Sequence, residues 1–245
     1  MNALILAAGY ATRMGAIAQD RPKALLPVAG RPVLDYLIEA IFSVASIQHV
    51  SLVTNQKFFG KFQEWSDNRR QWAVRIINDG TVSNEKRLGA IADLQLAIGQ
   101  DATDSDLLVA AADNIFMLSF PRFVEFFSQC DTDCITAHRE DDIARLRKTG
   151  VIEMDGKGRV ISFEEKPEHP RSLYACPPLY ILKRETLRLV SEYLGSNQNS
   201  DAPGHFIEWL ASRSPLHAYL FEEPRYSIGD EPSYRHACEI FSRHC

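Results

Sequence analysis

"LILAAGYATRMGAIAQDRPKALLPVAG", residues 4–30, passes from an apolar run straight into a segment carrying Gly9, Thr12, Arg13, Arg21 and Lys23. Taken with the residues before it, "NALILAAG" reads as a strand buried on both faces. Pro32 then suits the first turn of a helix whose Leu34, Leu37, Ile38 and Ile41 follow helical spacing. A small-residue turn leaving a buried strand exposes backbone N–H groups to an anion, and Arg13 and Lys23 add fixed charge, so the segment describes a polyphosphate cradle. It matches neither the GxxxxGK[ST] phosphate loop nor the GxGxxG dinucleotide fingerprint. From the residues alone, a glycine-containing surface loop with solvated cations is the rival reading.

Outward from this stretch, β-rich runs alternate with helical patterns. The strands are "HVSLVTN" (49–55), "WAVRIIN" (72–78) and "DLLVAAAD" (106–113), with helices expected over 57–71 and 87–98. Such a βαβαβαβ series predicts a mostly parallel sheet covered on both faces, with right-handed crossovers. Open sheets of this kind bind ligands beyond the carboxyl ends of their strands, where residues 8–23 and 112–114 fall. The second half is less regular: a helix at 119–128, the strand "CDTDCITAHR", and a hairpin over 150–167 turning at Asp155 to Gly158. The run "SLYACPPLYILK" (172–183) reads as a strand with Pro177-Pro178 at an edge or bulge, followed by helices near 184–193 and 204–212.

At 245 residues and 45% hydrophobic content the chain can bury a sizeable core, and one domain is expected. A formal net charge of -5 argues against a nucleic-acid surface, so any anion site must be local. Five cysteines without CxxC spacing suggest neither a disulfide framework nor a zinc knuckle and read as reduced thiols. The N-terminal "MNALILAA" lacks a basic leader, and no run of about 18 apolar residues occurs, so a cytoplasmic protein with no membrane partner is expected. No HxxxH or HxH pair supports metal ligation by histidine. Trp65, Trp72 and Trp209 read as core or cover residues, and "REDDIAR" (139–145) as a solvated charged loop.

"LAAGYATRM" followed by "DRPKALLPVAGRPVLDY" resembles the signature of sugar-1-phosphate nucleotidyltransferases, L-A-A-G-x-G/A-T-R-M/L and then P-K-x-L-x-P. "AADN" resembles the family's aspartate at the end of the central strand, "GVIEMDGKGRVISFEEKP" its acceptor-binding hairpin, and "YSIGDEPSY" its closing D-I-G-T-P-E-x-Y segment. The resemblance implies a three-layer α/β/α Rossmann-like fold with a mixed, mostly parallel central sheet, residues 1–115 serving the nucleotide and 116–245 the acceptor. It implies that backbone from Leu6, Ala7, Ala8 and Gly9 lines the nucleotide pocket, that Arg13 holds the β- and γ-phosphates, and that Lys23 sits against the α-phosphate and the attacking phosphate. Asn78, Asp79 and Gly80, with Gly89, would meet the nucleobase, Asp113 would bind Mg²⁺, and Gly150, Glu165 and Lys166 would contact the acceptor. The implied partners are a nucleoside triphosphate and a sugar-1-phosphate or similar phosphorylated acceptor. Assembly into a homo-oligomer is left open.

The residues agree with this chemistry. A phosphate monoester is already an ionised nucleophile, so positioning and charge stabilisation are what the protein must supply. Asp113 has a second reading as a helix cap or as a turn with Asn114. Glu164 and Glu165, adjacent on a strand, cannot both point into one site. Two positions depart from the pattern: the family's second metal-binding aspartate falls at Ser227, where Asp230 or Glu231 would have to reach back, and Pro177-Pro178 replaces Thr-Gly beside the sugar. Ser227 keeps a second class of function open, a catalytically impaired nucleotide-binding homologue with a regulatory role.

Overall fold

The computed structural model describes residues 1–18, 20–101 and 104–242, so Cys245, among the five thiols, lies outside the described residues. Strand β1 (Asn2–Leu6) is buried along its whole length. It lies between two parallel neighbours, β4 (Val50–Thr54) and β6 (Leu107–Ala111), which is why its sequence shows no alternation. Between β1 and β4 come a two-residue ribbon, β2 (Pro27–Val28) with β3 (Arg31–Pro32), and helix α1 (Val33–Phe42). Pro32 is the residue before that helix rather than inside it. Helix α2 (Gln56–Asp67) leads to β5 (Val74–Asn78), and α3 (Ala90–Asp101) leads to β6. The short β7 (Asn114–Phe116) and α4 (Phe120–Cys130) follow, then β8 (Asp133–Arg139), α5 (Ile143–Leu146), β9 (Gly150–Met154) and β10 (Val160–Glu165). The chain closes with β11 (Tyr174–Cys176), β12 (Leu179–Leu182), α6 (Arg184–Leu187), α7 (Leu189–Gly195), α8 (Pro203–Ala211), β13 (Leu216–Leu220), β14 (Arg225–Ser227) and α9 (Glu231–Ser242).

The main sheet runs β13-β8-β12-β6-β1-β4-β5; β12 opposes its neighbours while the other strands point one way, giving the expected mixed, mostly parallel sheet. Phe58, Phe62 and Trp65 of α2 join Leu34, Leu37 and Ile38 of α1 and Phe123 of α4 on one face. Ile91 and Leu94 of α3 join Val190, Tyr193, Phe206 and Ile207 on the other. Apolar burial on both faces explains the three layers. A buried carboxylate ties the first layer together, since Asp35 accepts from Trp65 Nε1 at 2.8 Å and from Arg69 Nε at 3.0 Å.

Pro177-Pro178 splits the run 172–183 into two strands that both pair with β8; β12 pairs on its other side with β6, whereas β11 pairs with β9, which pairs with β10. The missing proline N–H groups interrupt the ladder there, and the same sheet continues through β11, β9 and β10. Three helices differ from expectation. α2 ends at Asp67 and α3 begins only at Ala90, because a 3₁₀ turn at Asn84–Lys86 and a left-handed Gly89 come first. The helix expected over 184–193 is two helices meeting at Arg188.

Candidate active site

Parallel strands end on one edge of the sheet, and the loops after β1 and β6 bring residues 7–23 and Asp113 together there. Ala112 N donates to Leu6 O at 3.0 Å, fixing the two loops side by side. After Pro22, held extended, one 3₁₀ turn (Lys23–Leu25) presents the Lys23 side chain inward. Lys23 Nζ donates to Gly229 O at 2.6 Å and lies 3.6 Å from Asp113 Oδ2, with 14% of the side chain exposed. Burial lowers the Lys23 pKa; Asp113 opposes that shift and Arg13 adds to it. Arg13 is exposed at the rim.

Two cavities meet at this point. The first, of about 530 Å³, is lined by Leu6, Ala7, Ala8 and Gly9 from the strand end, by Gly89, and by Arg13, Lys23 and Asp113. The second, of about 910 Å³, is lined by Gly150 and Glu165 of the hairpin, with Ser227 opposite. Arg13, Asp113 and Lys166 belong to both walls.

Asn78, Asp79 and Gly80 do not line the first cavity. They form a turn behind it: Asn78 Oδ1 accepts from Gly80 N at 2.9 Å and Asp79 Oδ1 from Thr81 N at 2.6 Å, and Thr81 in turn meets the Tyr10 hydroxyl at 2.9 Å. Tyr10, Asn84, Arg87 and Asp93 stand in the wall instead. Asp93 escaped the sequence reading; its only signal is an acid in the first turn of an otherwise apolar helix. Burial first, and then the charge of Asp79, push its carboxyl up to about 8. Gly89 is required where it stands: its φ is +92°, and a Cβ there would come within 2.6 Å of Ser200 O.

In the second cavity alternation along β10 turns Glu165 inward and leaves Glu164 paired with Arg171 at 3.3 Å. The Glu165 carboxylate is 3.5 Å from Lys166 Nζ with only 7% of its side chain exposed, and burial raises its pKa against the pull of Lys166. A Cβ on Gly204, the second residue of helix α8, would overlap that carboxylate and force it aside. The charged segment 139–145, expected to be solvated, contributes Glu140, Asp142 and Arg145 to the cavity wall, with Asp142 capping α5.

Asp113 does not cap α4, whose cap is Ser119. Its Oδ1 accepts from Asn114 Nδ2 at 3.0 Å, and its backbone carbonyl accepts from Ile228 N at 2.8 Å. Neither proposed substitute for an aspartate at 227 is free. Asp230 binds the Ser233 hydroxyl at 2.6 Å and Lys148 at 3.2 Å, contacts that hold its carboxyl down to about 2, and Glu231 pairs with Arg235 at 2.7 Å. Among the described residues no group of three or more His, Cys, Asp or Glu gathers as a metal cage. The donor set is therefore one carboxylate. That fits a Mg²⁺ ion whose remaining ligands are phosphate oxygens and water, the usual arrangement for this cation.

A protein-family model described as nucleotidyl transferase matches residues 2–240. The chain is 27% identical over 189 residues to a glucose-1-phosphate thymidylyltransferase of Actinoplanes sp., covering 74% of this chain and 57% of that protein. It is 23% identical over 212 residues to the bifunctional protein GlmU of Methanocaldococcus jannaschii, covering 85% of this chain and 47% of that protein. The chain spans about half the length of the curated relatives it matches. A solved UDP-glucose pyrophosphorylase complexed with UDP-glucose shares the fold, with a TM-score of 0.81 over 100% of this chain and 99% of that one at 20% identity.

Proposed function

We propose, since this chain belongs to the nucleotidyl transferase family, that it transfers a nucleotidyl group from a nucleoside triphosphate to a sugar-1-phosphate or related phosphorylated acceptor, giving an NDP-sugar and pyrophosphate. The observation that carries this reading is the junction of the two cavities, where Lys23 and Asp113 stand 3.6 Å apart with Arg13 and Lys166 on the shared wall. A phosphate oxygen of the acceptor forms a bond to the α-phosphorus while the bond to the β-bridging oxygen breaks in line, and the electron pair leaves with pyrophosphate. No proton is abstracted, so no general base is needed.

Each side chain then has a job set by its place. Leu6, Ala7, Ala8 and Gly9 hold the nucleotide with Gly89, and Asn78, Asp79 and Gly80 shape the turn behind the base. Arg13, at the open rim, neutralises the departing pyrophosphate, and Lys23, buried at the junction, stabilises the phosphate under attack. Glu165 takes acceptor hydroxyls beside Gly150, and Lys166 takes the acceptor phosphate. Asp113 would hold Mg²⁺; when bound, that ion neutralises phosphate charge as it develops. One domain carries both halves, 1–115 for the nucleotide and 116–245 for the acceptor. No helix among the described residues is long and apolar enough to cross a membrane, and the buried thiols Cys134 and Cys176 support a cytoplasmic setting.

The test is pyrophosphate release across the common nucleoside triphosphates and a panel of sugar-1-phosphates with Mg²⁺. Turnover with at least one pair is expected. Nucleotide binding without turnover for any pair would overturn the reaction and establish the binding-only homologue that Ser227 keeps in view.

A further inference from the structure

The larger cavity has a floor that the proposed reaction does not use. All three residues of β14 line the cavity; the Tyr226 ring meets Phe241 at 5.2 Å, and alternation along the strand turns the Arg225 and Ser227 side chains to the opposite face. The half-buried Arg225 guanidinium has no hydrogen bond or ion pair among the described residues; partial burial lowers its pKa, and Asp113 and Glu140 are the strongest attractive charges acting on it. Both of those carboxylates are engaged elsewhere. Glu140 accepts from Asp142 N at 3.0 Å and lies 3.6 Å from Arg145, while Asp113 faces Asn114 and Lys23.

His138 of β8 comes into the same floor. Its Nδ1 is buried with no hydrogen-bond partner, and its ring packs on Phe221 at 5.2 Å. Burial first, and then the charge of Arg225, hold its pKa down to about 4, so the imidazole is neutral at pH 7 and free to donate. Tyr180 of β12 stands in the same wall. A half-buried guanidinium with no protein partner is open to an incoming anion, and an orphan buried imidazole nitrogen is costly unless something completes it. Ser227, on the same face as Arg225, adds no negative charge to repel an anion. The guanidinium fork matches a carboxylate or phosphate with two parallel hydrogen bonds.

We propose that Arg225 and His138 form a second anion subsite, so that the preferred acceptor carries, besides the phosphate that attacks, a further anionic oxygen group, either carboxylate or phosphate. This deepens the acceptor assignment and rests on it for the position of the first phosphate. A neutral hexose 1-phosphate leaves the floor unfilled, and an acceptor of similar size with an acidic terminus fills it.

The experiment is equilibrium titration of the full chain, without nucleotide, with a hexose 1-phosphate, the matching hexuronic acid 1-phosphate and the hexose 1,6-bisphosphate. At least one dianionic-group ligand should bind about tenfold or more tighter than the hexose 1-phosphate, as charged hydrogen bonds predict. Which of the two it is decides between carboxylate and phosphate. Arg225→Gln should collapse the ranking, bringing the three ligands within about threefold of one another. The proposal is overturned if the wild-type chain binds the three alike or binds none, or if Arg225→Gln weakens all three equally, since Arg225 would then serve the attacking phosphate. The wild-type ranking stands whether or not the variant folds. Because the readout is binding, a chain that ranks the ligands and yet releases no pyrophosphate would sink the reaction and leave the subsite intact.

Discussion

Replacing Lys23 by alanine should separate rate from binding. The Lys23 ammonium is buried at the meeting point of the two cavities, 3.6 Å from Asp113 and bonded to Gly229 O at 2.6 Å. A unit charge at about 4 Å from a phosphate oxygen contributes about 4 kcal/mol at the effective dielectric of a partly buried site. Losses of about 100- to 1,000-fold in turnover accompany removal of a single comparable group from preorganised charge stabilisation. Nucleotide affinity should fall only a few-fold, since the triphosphate keeps Arg13 and the backbone from Leu6 to Gly9. Single-turnover pyrophosphate release and equilibrium nucleotide titration measure the two quantities separately. Equal losses in both would refute the reasoning and reduce Lys23 to a binding residue. A matched thermal melt guards against misfolding, because the variant also loses the link to Gly229.

Other expectations follow from particular contacts. Asp93, pushed up to about 8, is protonated in the folded chain where an unfolded aspartate is not. Stability from this group is therefore lost as pH rises from about 4 to about 8, and Asp93→Asn should flatten the fall in Tm between pH 5 and pH 9 by several degrees; an unchanged profile would count against a proton held there. Gly89→Ala puts a Cβ against Ser200 O at a φ of +92°, and denaturant unfolding should show a loss of about 2 kcal/mol or more. Gly204→Ala displaces the Glu165 carboxylate and should raise the acceptor KM about tenfold with little change in nucleotide affinity. Matched rises in both constants would mean a global distortion. The lowered pKa of Lys23 places loss of activity at a lower alkaline pH than an ordinary lysine would, and Lys23→Arg should move that limb upward in a pH-rate profile.

How far the site was legible depends on whether side-chain direction is fixed locally or by distant packing. β1 and its cradle, the hairpin carrying Gly150 and Glu165, and the break at Pro177-Pro178 rest on short-range rules: buried runs, alternation and missing N–H groups. The start of α3 was less legible, because the 3₁₀ turn at Asn84–Lys86 and the left-handed Gly89 respond to Ser200, over a hundred residues away. Asn78, Asp79 and Gly80 sit one layer behind the cavity because Tyr10 and Thr81 intervene, a contact between two loops that neither sequence segment announces. Strand β14, three residues long, is too short to show a period, so the direction of Arg225 is set by the packing of Tyr226 on Phe241 and not by any local pattern.

The two ends of the chain are joined at the chemistry itself. Lys23, from the loop after the first strand, is anchored by the carbonyl of Gly229, and the Asp113 backbone carbonyl is anchored by Ile228 N. Both partners lie in the loop between β14 and α9, and α9 packs through Ala237 against Met14 and Ala18 beside the cradle. The cradle is thus held from behind by a helix that follows it by more than two hundred residues. A chain with net charge -5 must keep several cations close to one another and to a single carboxylate, and their mutual repulsion favours spreading the loop open. Docking the cradle onto the β14–α9 segment opposes that spreading, because Lys23 cannot move outward without breaking its contact with the Gly229 carbonyl.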